Sequence, residues 1–112
     1  MPERYKLKFT KQSSDQLFQI ISYISNNLFA PKAAMRLYGE IKEKTEKLTD
    51  FPESCVHVDR EPWKTNGIRK LIVRNFIVYY LVDHENHNVL ITSVVYGKSN
   101  QLNKLKRMDL DD

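Results

Sequence analysis

The sequence has 112 residues, of which 41% are hydrophobic and 29% charged; this composition excludes a disordered or low-complexity chain and predicts one folded domain over residues 1–112. Eighteen Lys and Arg against fourteen Asp and Glu give a modest net charge of +4. No apolar run approaches the roughly 20 residues of a membrane span, MPERYKLKFT has no signal-like apolar core, and the single Cys55 cannot form an internal disulfide, so we expect a cytoplasmic protein without a membrane partner.

The first two predicted elements are a strand and an amphipathic helix. Residues 4–10 alternate polar and apolar side chains, which is the period of a half-buried strand. Ser13 and Gln16 have the spacing of a capping box, so a helix is expected to begin there and to end near Asn26 and Asn27. One apolar stripe at helical spacing follows Ser13: Leu17, Ile20, Ile21, Ile24 and Leu28.

A second helix is predicted to begin at Pro31, because proline at the first helical position loses no hydrogen bond. Its apolar stripe consists of Ala34, Leu37, Ile41 and Leu48. Phe51 and Pro52 end this helix. Two helices joined by a short loop form an antiparallel hairpin.

The second half of the chain is predicted to be a long loop followed by a β-meander. Residues 52–67 have no sustained period and contain one short candidate strand at 56–58. Runs rich in β-formers at 68–73, 76–82 and 89–96 are separated by tight connections. The element order βααβββ indicates an α+β fold, an antiparallel sheet with the helical hairpin on one face. Since the runs are apolar on both faces, we expect the C-terminal segment or a partner chain to cover the second face.

Positive charge is concentrated in the second half. Residues 63–107 hold eight basic side chains against two acids, Asp83 and Glu85. The basic residues are Lys64, Arg69, Lys70, Arg74, Lys98, Lys104, Lys106 and Arg107. Such a surface attracts nucleic acid, a ribosome or an acidic protein, and a merely solvated basic face is the alternative. His84 and His87 flank a turn and are interpreted as loop residues, so we predict neither a metal site nor a cofactor.

Two motifs after the helical hairpin resemble those of a known superfamily. One is an RxLxVxNxxVYY strand pair, formed by Arg69, Leu71, Val73, Asn75, Val78, Tyr79 and Tyr80. The other is the strand that ends in YGK at residues 96–98. Their order and spacing resemble the RelE/ParE superfamily of type II toxin–antitoxin toxins over residues 4–105, with the plasmid-stabilisation, ParE-like members most similar.

The resemblance implies a toxin that arrests growth and is neutralised by a cognate antitoxin. RelE-like members cleave mRNA on the ribosome without a metal, whereas ParE-like members poison DNA gyrase. For a nuclease, Lys70 and Arg74 are the catalytic candidates, with Arg74 stabilising the phosphorane. Ser99 and Asn100 stand where the family usually places arginines, so the resemblance favours the gyrase reading.

Binding residues are expected among the basic residues of 63–107 and at the C-terminal end. Arg69 and Lys98 are the candidates for docking an acidic antitoxin tail. Trp63 with nearby tyrosines, Tyr96 among them, is the candidate for a protein target, but its place in the loop favours the alternative, a packing role for Trp63. Residues 98–107 are predicted to form a short helix that presents Lys104, Lys106 and Arg107, its outward-facing cations. A non-toxic RNA- or protein-binding module is the third alternative, because the charge pattern alone would support it.

Overall fold

The computed structural model describes residues 4–97, which form two helices and one four-stranded sheet. The elements in chain order are β1 (Lys6–Phe9), α1 (Lys11–Ser22), α2 (Pro31–Lys47), β2 (Arg69–Val73), β3 (Phe76–Asp83) and β4 (Asn88–Tyr96). The α+β class and the order βααβββ are thereby confirmed. Neither helix in this part of the chain combines the length and hydropathy that a membrane crossing requires.

The sheet has the strand order β1-β4-β3-β2 and is mixed rather than wholly antiparallel. The meander of β2, β3 and β4 is antiparallel, as predicted. β1 instead runs parallel to β4, with Lys6 opposite Asn88 and Phe9 opposite Ile91. Tight connections between β2, β3 and β4 allow only antiparallel pairing. The long helical hairpin between β1 and β2 imposes no such limit, so β1 can pair in either direction. Side-chain alternation fixes the faces of a strand but not its neighbour.

The helical hairpin packs on one face of the sheet and buries the larger core there. Leu37 and Ile41 of α2 lie in one cluster with Val78 and Tyr80 of β3 and Ile91 of β4. Leu17, Ile20, Ile21 and Ile24 of the predicted α1 stripe pack against this cluster. The predicted stripes of both helices are therefore confirmed as core packing, except for Leu28, which is 54% exposed.

The second face of the sheet is covered by the loop that precedes β2. Val58, Trp63 and Ile68 pack over Tyr79 of β3 and Val95 of β4, and Trp63 is only 5% exposed. Within residues 4–97 this loop supplies the cover, whereas the C-terminal segment named in the expectation lies outside the described residues. The loop is built from successive turns, so it has no period for a sequence pattern to reveal. The packing role favoured for Trp63 is thereby confirmed, and its ring is not exposed for binding.

The start of α1 differs from the predicted capping box. Thr10 is the N-cap, and its hydroxyl oxygen accepts the backbone N–H of Ser13 at 3.1 Å. Ser13 is fully buried and donates its own hydroxyl to the carbonyl of Ile91 at 2.9 Å. Gln16 bonds to β4 instead of to the helix start. Ser13 and Gln16 thus attach α1 to β4, a tertiary role that local spacing cannot distinguish from capping.

The helical hairpin turns through an irregular tip. A π-helical turn, Tyr23–Asn27, follows α1, so the helical segment ends at Asn27 as predicted. Phe29 then adopts a left-handed backbone conformation with φ of 53°, and its side chain is 87% exposed. The carbonyl of Ile24 accepts the Ala30 N–H at 3.1 Å and closes the tip.

Candidate functional site

A groove of about 750 Å³ lies between α1 and the end of β4. We call it the α1–β4 groove; its lining residues are Gln16, Gln19, Ile20, Tyr23, Ile24, Leu28, Phe76, Val94, Val95 and Tyr96. None of these side chains is charged. Tyr96 is 42% exposed and meets the Phe76 ring edge to face, with 5.6 Å between the ring centroids. Of the predicted site residues that the structure describes, Tyr96 alone lies in this groove.

The groove exists because β1 is shorter than β4. β1 pairs with β4 from Asn88 to Ile91, and in the described part of the chain no strand continues along that side of β4. The side-chain amide oxygen of Gln16 accepts the Val94 N–H at 2.8 Å and the Ser93 hydroxyl at 3.0 Å. A side chain of α1 therefore accepts a backbone N–H of β4 that a neighbouring strand would otherwise bind.

A second groove, of about 440 Å³, lies on the other side of α1. Leu17 and Phe18 of α1 face Tyr38 and Ile41 of α2 across it, and Phe18 is 73% exposed. We call it the α1–α2 groove; unlike the first, it is bordered by the charged side chains of Lys42 and Glu46. Helix α1 thus presents apolar surface on both of its flanks, more than its role in the core requires.

Arg74 is bound to α2. It occupies the two-residue turn between β2 and β3 with φ of 55°. Its Nε and Nη2 donate to one carboxylate oxygen of Glu40 at 2.9 and 2.5 Å. The hydrogen bond from Arg74 lowers the pKa of Glu40, and the same bond raises the pKa of Arg74. The charge of Arg74 is therefore compensated by a carboxylate instead of facing an anion site.

Lys70 and Arg69 point to opposite faces of the sheet, because adjacent strand residues alternate. Lys70 pairs with Tyr79, whose ring lies on the loop-covered face. Arg69 is held inside the fold: its Nη1 donates to the carbonyls of Cys55 and Glu53 at 2.5 and 3.2 Å. Its side chain is only 13% exposed. Arg69 therefore fixes the loop to β2, and its role in docking an antitoxin stays a prediction.

The predicted catalytic pair is not assembled. Lys70 faces the loop side of the sheet, while Arg74 is bonded to α2 on the helix side. Lys98, Lys104, Lys106 and Arg107 lie outside the described residues, so their binding roles stay predictions. Across residues 4–97 no group of three or more His, Cys, Asp and Glu side chains is arranged to hold a metal ion.

Sequence reasoning missed the α1–β4 groove, although part of its signal was present. Ile20 and Ile24 belong to the stripe that predicted α1, and the same stripe forms one wall of the groove. Tyr23 and Leu28 continue that wall, and each is 54% exposed. The available indication of the groove was that the apolar stripe of α1 is wider than packing against the sheet requires.

The family follows from a comparison with known sequences. Residues 7–100 match the family described as the ParE toxin of the type II toxin–antitoxin system parDE. The chain belongs to the ParE toxin family. It is accordingly a toxin of a type II toxin–antitoxin system within the ParE/RelE superfamily. No curated protein matches its sequence.

Solved structures of other toxins share this ParE fold. The chromosomal ParDE system from P. aeruginosa contains a chain that is 20% identical, with a TM-score of 0.66 over 83% of this chain and 96% of that chain. The toxin–antitoxin complex RelBE2 from Mycobacterium tuberculosis contains a chain that is 17% identical, with a TM-score of 0.59 over 84% of this chain and 99% of that chain. A mutant of the E. coli toxin RelE in the free state is 18% identical, with a TM-score of 0.59 over 94% of this chain and 98% of that chain. ParE and RelE toxins are thus both similar in fold, and fold alone does not select the target.

Proposed function

We propose that this toxin arrests growth by binding DNA gyrase and not by cutting mRNA. The observation that carries the proposal is the separation of the two candidate catalytic cations, one bonded to Glu40 and the other on the opposite side of the sheet. The family match to the ParE toxin of parDE supports the same target class. A gyrase poison needs a binding surface and no catalytic set.

The alternative, ribosome-dependent mRNA cleavage, makes stronger demands on geometry. Attack by a 2′-hydroxyl on the neighbouring phosphate needs a proton acceptor, a cation at the phosphorane and a proton donor for the leaving oxygen. These groups must converge on one phosphate. Arg74 would have to release Glu40 before it contacted that phosphate, and Lys70 would approach from the other face.

We further propose that the α1–β4 groove receives the cognate antitoxin. A groove without charged lining suits the apolar face of an amphipathic segment, and the cation of Lys98 suits an acidic residue of that segment. Two of the similar structures come from systems that pair a toxin with an antitoxin, ParDE and RelBE2. Because Arg69 is internal, Lys98 is the better residue for testing the electrostatic part of this docking.

Tyr23→Glu tests the antitoxin site. Tyr23 is exposed and borders the α1–β4 groove, so a carboxylate there should weaken antitoxin binding without disturbing the core. Tyr38→Glu is the matched control, since Tyr38 is 42% exposed and lines the α1–α2 groove instead. Titration calorimetry should show a loss confined to Tyr23→Glu. Equal losses in both variants would place the antitoxin elsewhere.

A supercoiling assay with the full chain tests the target. Purified toxin should inhibit gyrase or trap cleaved DNA, and a translation extract should show no codon-dependent mRNA cuts. If cuts appear, Arg74→Ala separates the mechanisms, because loss of a phosphorane-stabilising cation should slow cleavage by about a hundredfold. A toxin that arrests growth yet leaves gyrase untouched at all concentrations would refute the proposal.

A further inference from the structure

Strand β1 lies at the edge of the sheet, and one of its two sides is open. On the inner side, the backbone N–H groups of Lys6 and Thr10 donate to carbonyls of the segment that forms β4, at 2.8 and 3.0 Å. Successive N–H groups of a strand point to opposite sides, so those of Leu7 and Phe9 point outwards. Among residues 4–97 no strand lies on that outer side. β1 therefore presents an edge to which one further strand can pair.

The open edge has one cationic and one apolar face. Lys6 and Lys8 are exposed on one face of β1. Leu7 and Phe9 point to the other face, where they are half-buried and line the α1–α2 groove. In the described part of the chain neither lysine forms an ion pair. A strand added here would be stabilised by apolar side chains over the groove and by carboxylates beside the lysines.

A segment of this chain outside the described residues has the complementary pattern. In residues 108–111 the order is Met, Asp, Leu, Asp. Such alternation gives a strand one apolar face, with Met108 and Leu110, and one acidic face, with Asp109 and Asp111. The two faces of this segment therefore match the two faces of β1 in hydrophobicity and in charge.

The segment can reach the open edge. Gly97 lies six positions beyond Ile91, the partner of Phe9, which is about 20 Å along the sheet. The open side of β1 lies two strand spacings, or about 10 Å, across from β4. Residues 98–107 span up to about 36 Å in extended form, and about seven of them could be helical without loss of the required reach. Because the chain leaves β4 beyond Phe9, it meets that end of β1 first and would pair antiparallel.

The edge suits this segment better than it suits a second copy of the chain. Pairing of two β1 edges would bring Lys6 and Lys8 of one copy close to the same lysines of the other. Like charges opposite each other destabilise a strand pair. Residues 108–111 are instead acidic and attached to the same chain, so they meet the edge at an effective concentration on the order of millimolar.

We infer that residues 108–111 add a fifth strand to β1, antiparallel to it and beside the α1–α2 groove. Residues directly opposite each other in such a pair share a face. In the register that uses all of β1, the residues Met108, Asp109, Leu110 and Asp111 lie opposite Phe9, Lys8, Leu7 and Lys6, respectively. The added strand anchors the far end of residues 98–107, and with it the cations that we expect to contact the target.

Hydrogen exchange of the full chain, followed by NMR, tests the added strand. A chain that lacks residues 108–112 should exchange the outward amides of Leu7 and Phe9 about tenfold faster than the full chain does. The amides of Lys6 and Thr10 bind carbonyls on the β4 side in both chains, so their unchanged exchange reports an intact fold. Equal exchange of the outward amides in the two chains would overturn the inference. Protection that falls on dilution would also overturn it, because the edge would then be covered by a second copy.

An exchange of charges tests the register. Lys8→Asp should release the segment, because Asp109 then lies opposite a like charge. Addition of Asp109→Lys should restore the protection of the Leu7 and Phe9 amides. Lys11→Asp with Asp109→Lys is the matched control: Lys11 is an exposed cation at the start of α1, outside the strand pair, so this combination should leave the amides unprotected. Restoration by both combinations, or by neither, would contradict the pairing.

Discussion

Arg74 and Glu40 connect the β2–β3 turn to the middle of α2 through two hydrogen bonds to one carboxylate oxygen. The contact joins the outer hairpin of the meander to the helical layer at a point where Arg74 has a left-handed backbone. Arg74, which the sequence suggested as a phosphate ligand, therefore connects the sheet to the helical layer. We therefore expect its removal to weaken the contact between the two layers.

Glu40→Gln should destabilise the protein in a pH-dependent way. Arg74 lowers the pKa of Glu40 in the folded chain below the value of 4.5 expected for a free side chain. A depressed carboxyl pKa contributes stability above its unfolded value and loses it as the pH falls through the folded value. Urea unfolding should therefore separate the variant from the parent at about pH 7, and the difference should shrink towards about pH 3.

Glu43→Gln is the control for that measurement, because Glu43 forms an exposed i,i+4 pair with Lys47 on the same helix. Exposed pairs of this kind contribute about 0.3–0.5 kcal/mol. The Glu43 variant should show the smaller effect at neutral pH. A Glu40→Gln deficit that persists undiminished in acid would mean that the carboxylate charge is not what stabilises the contact.

Gln16→Ala should destabilise the free edge of β4. The amide oxygen of Gln16 accepts the Val94 N–H, and its loss leaves that donor without a protein acceptor. An unsatisfied buried donor costs about 1–3 kcal/mol. Hydrogen exchange should show faster exchange of the Val94 amide. Gln19→Ala, in the same groove but exposed, should leave Val94 unchanged; equal protection in both variants would contradict the assignment.

Trp63→Ala should open the second face of the sheet. Trp63 is 5% exposed between Val58 and Tyr79, and removal of a buried aromatic costs about 3–5 kcal/mol. Because the chain has one tryptophan, emission from Trp63 in the parent reports this layer alone. Its emission should shift to the red when urea unfolds the chain. Trp63→Phe keeps a ring in place and should lose less; a loss below about 1 kcal/mol for the alanine variant would show that the loop is not a true layer.

Deletion of residues 103–112 should separate toxicity from folding. The deleted segment carries Lys104, Lys106 and Arg107, the cations that we expect to contact the target. Both core clusters, both helices and the four-stranded sheet lie within residues 4–97, so we expect the truncated chain to fold and to bind its antitoxin. Growth assays on inducible expression should show no arrest, with circular dichroism as the check on folding. Continued arrest would remove the C-terminal cations from the mechanism.

The helices and the meander were predictable because their signals are local. Leu17 and Ile21 repeat at helical spacing, Pro31 marks a helix start, and β2 and β3 are separated by only two residues. The parallel partner of β1 was not predictable in the same way, since no residue of β1 encodes which strand lies beside it. The RelE/ParE resemblance, which rests on the order of the motifs, predicted the superfamily, and the family match over residues 7–100 confirms it.

The candidate site was less predictable, because charge in a sequence does not reveal how it is used. Arg69 and Arg74 appear as a basic strip, yet Arg69 binds loop carbonyls and Arg74 binds Glu40. Gln16 was interpreted in local terms, as part of a capping box, while it binds Val94 of β4, 78 residues away. Non-local partners of this kind are visible only in the folded chain.

The parallel pairing of β1 with β4 also sets the timing of folding during synthesis. Lys6 pairs with Asn88, 82 positions later, so the first strand emerges from the ribosome long before its neighbour exists. At about 5–20 residues per second that interval is about 4 to 16 s. During it, the apolar side of β1 has only the helical hairpin to cover it. The toxin therefore completes its sheet, and any surface built on it, only after β4 has been synthesised.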